Sequence, residues 1–331
     1  MIRLNKKVLA MGGGTGTYTV LSGLRQREVV SLSCIVTMAD NGGSSGELRD
    51  ELGVLPAGDI LRCMIALSDA EPEWRQTLEF RFDAGKFEGH RFGNVFLAAL
   101  QKQYQDPLEG ISIAHKLLRV QGNVIPVTTR AGTLQATLED DTLIQGEHEI
   151  DESAALRSPI KAIALLSEEP ANPAAVKAIE EADLIVIGPG DLFTSIIPVL
   201  LVPGINEALA RTKAKKVYVI NLMTKRGQTE GYSVTRFCQT LEKYSSPARM
   251  DYVIINRSVP SDEVVALYAA EGEAVVEDDY THPTHPLQRV CRESLLAPNT
   301  VPSVSGDRLR RSLVRHDPVK LARAILSLIR E

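Results

Sequence analysis

Four short segments of this chain place glycines, hydroxyls and single charged groups directly after apolar runs. The first is Gly12-Gly13-Gly14-Thr15-Gly16-Thr17, entered from Val8–Met11. Glycines let a backbone approach a phosphate closely, and the N–H groups at the start of a following helix supply positive potential. The strict dinucleotide fingerprint is absent, because Thr17 stands where its third glycine would fall. A merely tight strand-to-helix turn is the competing reading. The second segment, Asp40-Asn41-Gly42-Gly43-Ser44-Ser45-Gly46, repeats the chemistry and adds an acid. Two such loops at neighbouring strand ends suit a ligand with more than one phosphate, or with a phosphate and a sugar. The third, Gly188-Pro189-Gly190-Asp191-Leu192-Phe193-Thr194-Ser195, offers hydroxyls that either cap the next helix or meet a ligand. The fourth, Asn221-Leu222-Met223-Thr224-Lys225-Arg226-Gly227-Gln228-Thr229, sets amide, hydroxyl and cation in a row. Any one of these is explained by turn chemistry, in which Gly, Ser, Asn and Asp are common. Four together are not.

Several single residues add to this set. Asp59, between Gly58 and an apolar helical run, either caps that helix or shares a cleft with Asp40, where the two would hold a cation or a substrate hydroxyl. They are the acids on which catalysis would rest if the chain is an enzyme, and Asp40 is a weak magnesium ligand candidate. Asn94 carries the same ambiguity between cap and ligand contact. Tyr268 either stacks on a base or packs in the core, and Arg315 offers a planar fork for a diphosphate. His282 and His285 lie in a proline-rich loop better read as solvated than as a metal site. No serine sits in a nucleophile elbow, so covalent catalysis finds no obvious residue.

The elements that must carry these loops are read from Val- and Ile-rich runs alternating with helical patterns, the sign of a parallel sheet covered by helices. Strands are predicted at Val8–Met11, Ile35–Ala39, Ile160–Leu166, Leu184–Ile187, Val217–Asn221 and Tyr252–Asn256. Their continuous apolar character implies burial on both faces. Leu134–Leu138 and Leu143–Gly146 read as an antiparallel hairpin across Glu139-Asp140-Asp141-Thr142. Residues 59 to 120 read as a helical insertion beside the sheet. Asp317 and Pro318 mark the start of a last helix, with Leu321, Ile325 and Leu328 on one face. The expectation is a three-layer α/β/α domain over residues 1–331, with a mainly parallel Rossmann-like sheet, the insertion and the small hairpin. Ligands of such sheets sit outside the carboxyl ends of the strands.

Composition narrows the function. A net charge of −5 lacks the basic surplus expected of a nucleic-acid binder. No apolar run is long enough to span a bilayer, and the start of the chain has no room for a signal peptide. The four cysteines, with no CxxC pair, fit reduced thiols in a cytoplasmic protein. A homodimer is the commonest assembly and stays possible here.

The four loops, together with Pro56-Ala57-Gly58-Asp59-Ile60, Phe92-Gly93-Asn94, Val124–Thr128 and Val314-Arg315-His316-Asp317, resemble the family that joins 2-phospho-L-lactate transferases to the bacterial gluconeogenesis factors. The resemblance runs from Val8 to Asp317 and is closest to the gluconeogenesis-factor branch. It implies a nucleotide-sugar-binding protein, with UDP-N-acetylglucosamine the usual ligand, that supports cell shape and growth on gluconeogenic carbon sources through a protein partner the sequence does not identify. Gly13, Gly14, Thr15, Gly16, Thr17, Asp40, Asn41, Gly43, Ser44, Ser45, Asn94, Gly188, Gly190, Asp191, Thr194, Ser195, Asn221, Thr224, Tyr268 and Arg315 are then the expected ligand contacts. No cofactor is required, although magnesium is compatible. Asn41 departs from the family where many members have a second Asp, which weakens a two-carboxylate magnesium site. Asp191 departs from it where Ser is usual. A phospho-group transferase using a nucleoside diphosphate donor is the alternative, since phosphoryl chemistry needs mainly positioning and charge stabilisation. A nicotinamide-dependent oxidoreductase ranks third.

Overall fold

The fold is that of a computed structural model, which describes residues 6–25, 30–152, 158–298 and 313–329. The chain opens with β1 (Lys6–Gly12), α1 (Gly14–Arg25) and β2 (Val30–Val36), then runs through α2 (Gly43–Leu52), α3 (Ala57–Leu67), α4 (Pro72–Glu79), α5 (Phe92–Tyr104) and α6 (Pro107–Leu117) to β3 (Asn123–Pro126). A smaller unit follows: β4 (Leu134–Leu138), β5 (Leu143–Gln145), α7 (Glu147–Glu152) and β6 (Ile160–Leu165). After α8 (Pro173–Glu181) and β7 (Leu184–Ile187) come a π-helical turn at Leu192–Ile196, α9 (Ile197–Leu200), α10 (Ile205–Arg211), β8 (Lys215–Val219), α11 (Val234–Ser245), β9 (Tyr252–Asn256), α12 (Asp262–Ala270), β10 (Arg289–Glu293) and α13 (Pro318–Ser327).

Seven strands form one sheet in the order β10-β9-β8-β7-β1-β2-β3. Every pairing in it is parallel. Leu184 to Ile187 and Val8 to Met11 are buried, as expected of strands covered on both faces. The chain builds outward from β1 through β2 to β3, then restarts at β7 and builds the other way. The strand order therefore reverses between β1 and β7, the place outside whose carboxyl ends open parallel sheets form their ligand crevice.

The run Ile160–Leu166 corrects the sequence reading. It is β6, and it pairs antiparallel with β4 in a separate three-stranded sheet of order β5-β4-β6. Only Ile160 and Ile163 of this strand are buried, Lys161 and Ala164 are exposed, and the pairing with β4 shifts register between Thr137 and Leu138, so the strand is not covered on both faces. The expected β4–β5 hairpin is present, with Asp141 turning at φ 63°. Two strands of the large sheet escape a search for apolar runs. β3 is short and ends in Pro126, and the edge strand β10 reads Arg-Val-Cys-Arg-Glu. α13 starts as read, with Asp317 Oδ1 accepting the Val319 and Lys320 N–H groups at 2.9 Å each.

Among the described residues no single helix is long and apolar enough to cross a membrane. None of the four cysteines is in a disulfide, and three of them are buried.

Candidate functional site

The first and third loops meet at the β1/β7 crevice. A side chain added at Gly16 would lie 1.7 Å from the Pro189 carbonyl oxygen, so only glycine lets α1 start against this loop. At Gly14 the same space holds the Asp59 carboxylate, which accepts the Gly14 N–H. Asp59 thus does not cap its own helix; Pro56 occupies that position without a side-chain bond. It acts instead as an internal anion at the start of α1, a place helix N-termini favour for negative charge. Ser195 stands against Gly13, and Arg62 donates to the Thr15 hydroxyl. Thr17 is buried, and its hydroxyl has no protein partner.

The second loop is bound to the helical insertion. Ser45 Oγ accepts the Gly58 N–H at 2.9 Å and Asn94 Nδ2 at 3.3 Å. Ser44 Oγ accepts the Arg91 N–H at 3.2 Å and the same Asn94 amide at 3.3 Å. Asn94 Oδ1 is buried without a partner. Asp40 turns back to accept the Gly42 N–H at 2.9 Å. Asn41 is engaged by α7: its Oδ1 accepts the His148 N–H at 2.8 Å and its Nδ2 donates to Glu149 Oε2 at 3.0 Å. Its amide clasps α7 with one donor and one acceptor, a pairing that a carboxylate cannot make.

That clasp delivers two acids the sequence reading missed, Glu147 and Asp151. Lys225 Nζ sits between Asp151 and Asp191, 2.6 Å from Asp191 Oδ2 and bonded to Asp151 Oδ1. Gln228 Nε2 joins the same Asp151 oxygen at 3.0 Å, and the Thr194 hydroxyl lies at 3.5 Å. Asp191, the residue that departs from the family pattern, is therefore engaged by a buried lysine. Asn221 Oδ1 accepts the Gly190 N–H at 3.2 Å, and the Thr224 hydroxyl accepts the Ala274 N–H at 2.8 Å. No local motif flags Glu147 or Asp151, because both come from the small sheet's helix. Lys225 and Gln228 lie within the fourth loop, but their contact with Asp151 shows only in three dimensions.

The electrostatics follow from this crowding. Burial, reinforced by the Asp40 charge, pushes the Asp59 carboxyl up to about 7, against Arg62 and the Gly14 N–H. Burial together with Asp40, Asp151 and Asp59 pushes Glu147 up to about 9, with Lys225 opposing. Asp40 is raised too, mainly by burial, although the Gly42 N–H, Ser45 and Arg49 pull the other way. For Lys225, burial works against the charge, but Asp191 and Asp151 outweigh it and hold the ammonium firmly protonated. Among the described residues no three acids, histidines or cysteines are placed to hold a metal ion together.

Tyr268, on α12, and Arg315, on the segment leading into α13, lie close to each other. The Tyr268 hydroxyl accepts the Val314 N–H at 3.1 Å, so the ring fastens the segment that leads into α13. Arg315 Nε is buried without a partner. His316 is buried next to it and bonded to the Ile220 backbone, and burial drives it down to about 4 and keeps it neutral. This bond ties the Tyr268 and Arg315 group to the residue preceding Asn221.

The family model for the 2-phospho-L-lactate transferase CofD matches residues 8–296. The chain belongs to the CofD family. Its relatives carry the other name the resemblance implied. It is 40% identical over 279 residues to the gluconeogenesis factor of Halalkalibacterium halodurans, covering 83% of this chain and 85% of that one. It is 35% identical over 327 residues to the gluconeogenesis factor of Bacillus subtilis, covering 98% of both. A crystal structure of a UPF0052-family protein from Bacillus halodurans superposes with a TM-score of 0.89 at 36% identity, over 97% of this chain and all of that one. In this CofD-family chain the glycine loops at the ends of β1 and β7 meet an acid pair, Asp40 and Asp59, and the acid-bearing helix α7.

Proposed function

We propose that this CofD-family chain is a cytoplasmic protein that binds a nucleotide sugar of the UDP-N-acetylglucosamine type, and thereby serves cell shape and growth on gluconeogenic carbon sources. The observation that carries the reading is the convergence at one place of the starts of α1, α2 and α3, tied together by Asp59 on the Gly14 N–H and Ser45 on the Gly58 N–H. Helix starts direct N–H groups and positive potential at phosphates. Two buried oxygens beside them, Thr17 Oγ1 and Asn94 Oδ1, have no protein partner and suit ligand hydroxyls or ordered water. The relatives' name, gluconeogenesis factor, supports the part of the reading that concerns growth on gluconeogenic carbon sources. Asp40, Asp59 and Glu147 make the crevice rich in acid, so a diphosphate is received most readily when protons or a divalent cation offset that charge. Asp40 and Asp59 supply the hard oxygens such a cation would need.

The acid pair also favours a second reading, transfer of a phosphorylated group with Asp40 or Asp59 as proton acceptor. A nicotinamide enzyme ranks below both, because Asn41 to Gly46 form a second glycine- and serine-rich loop where a dinucleotide enzyme needs no further phosphate loop. Thermal unfolding separates the readings, because a ligand that binds only the folded chain raises its melting point. UDP-N-acetylglucosamine is expected to raise it more than NAD does. Product formation on incubation with an acceptor would move the assignment to the transferase.

A further inference from the structure

The amino ends of the parallel strands make a second face with different chemistry. Lys6, Leu184, Lys215, Tyr252 and Arg289 begin β1, β7, β8, β9 and β10, and clefts of about 450 and about 290 Å³ open along this edge. Lys6, Lys215 and Arg289 line the larger cleft, Lys216 and Arg249 the smaller, and Asp251 and Leu287 line both. Among the described residues the acids on the lining are Asp183 and Asp251, and both are committed to the strands themselves. Asp183 accepts the Lys7 N–H at 2.8 Å and Lys6 Nζ at 3.0 Å. Asp251 accepts the Lys216 N–H at 2.8 Å, with Lys215 and Lys216 ammonium groups at 3.7 and 3.9 Å. In a chain of net charge −5, five cations beside two engaged acids give the described residues of this face a basic surplus.

Leu287 stands 81% exposed between the two clefts. A single exposed leucine is ordinary, but the backbone around this one is locked. Its N–H donates to His285 Nδ1 at 3.1 Å. The next residue, Gln288, is buried and donates to the Met250 carbonyl at 3.2 Å. Gln288 also takes the hydroxyl of Tyr280, whose oxygen accepts the Thr284 N–H at 3.0 Å. An apolar group presented on so fixed a loop loses little freedom when it is covered.

We propose that this face docks an acidic peptide segment of a partner protein, with carboxylates against Lys6, Lys215, Arg249 and Arg289 and an apolar side chain against Leu287. A bilayer is too flat to enter concave clefts. A second copy related by a two-fold axis brings like charge onto like charge. The face lies across the sheet from the crevice, and the inference does not rest on what binds there.

The test uses the full chain and a fluorescein-labelled peptide that alternates glutamate pairs with single leucines, read by fluorescence anisotropy. Saturable binding that weakens with added salt is expected. Leu287→Glu alone, and Lys215→Glu combined with Arg289→Glu, weaken it by about tenfold or more. Circular dichroism shows the variants folded, and their stabilisation by UDP-N-acetylglucosamine matches that of the parent chain. Four results each overturn the proposal: no anisotropy change up to about 1 mM peptide, equal binding by parent and variants, preference for phosphatidylserine vesicles over the peptide, or a dimer in sedimentation that these substitutions dissociate.

Discussion

Two side chains of the crevice show how much depends on protonation and on a single amide. Glu147 holds its proton up to about 9 when folded, against an ordinary 4.5. The folded chain therefore binds more protons than the unfolded one between these values, so the associated stability is full below the lower value and is lost as pH rises toward the higher. Glu147→Gln is expected to flatten that decline and to raise stability at alkaline pH by about 2 kcal/mol, measured by urea denaturation across the range. Unchanged pH dependence would show that the carboxyl ionises freely. Asn41 makes the opposite case. Asn41→Asp keeps the acceptor for His148 but sets a carboxylate against Glu149, and is expected to cost about 1 kcal/mol. Adding Glu149→Gln restores a donor and should recover the loss. From sequence alone, replacing a family Asp with Asn41 reads as a weakened metal site. The hydrogen bonds to His148 and Glu149 give the residue a different task, and they were not legible because their partners lie more than a hundred positions away.

At the scale of elements, apolar runs revealed the strands buried on both faces and the turn residues revealed the β4–β5 hairpin, while β3 and β10 were missed and β6 was assigned to the wrong sheet. β1, β7, β8 and β9 announce themselves as apolar runs, whereas β10 is a charged edge and β6 belongs to another sheet. The loops were legible because glycine and serine are concentrated in them. The clasp by α7 was not, because no local pattern says which acid of a short helix faces inward. Close packing of α1 against the third loop gives the clearest element-level expectation. Gly16→Ala puts a methyl group into the Pro189 carbonyl and is expected to destabilise the chain by about 2–4 kcal/mol, seen as a lower urea midpoint with an unchanged slope. A midpoint within error of the parent chain would mean that the two loops separate at little cost.

Over the whole molecule, charge is divided between the two ends of one sheet. The carboxyl ends gather Asp40, Asp59, Glu147, Asp151 and Asp191 around one buried lysine, while the amino ends present a surplus of lysine and arginine. An acid-rich crevice that receives a diphosphate must have its charge offset, so affinity should rise with magnesium or with falling pH. Titration calorimetry of UDP-N-acetylglucosamine against the full chain, with and without magnesium and with NAD in parallel, measures this directly. The account predicts saturable one-to-one binding of the nucleotide sugar, strengthened by magnesium, weakened in Asp40→Ala and tighter than that of NAD. Binding of NAD as tight as or tighter than that of the sugar nucleotide, or sugar-nucleotide binding untouched by both magnesium and Asp40→Ala, would contradict it.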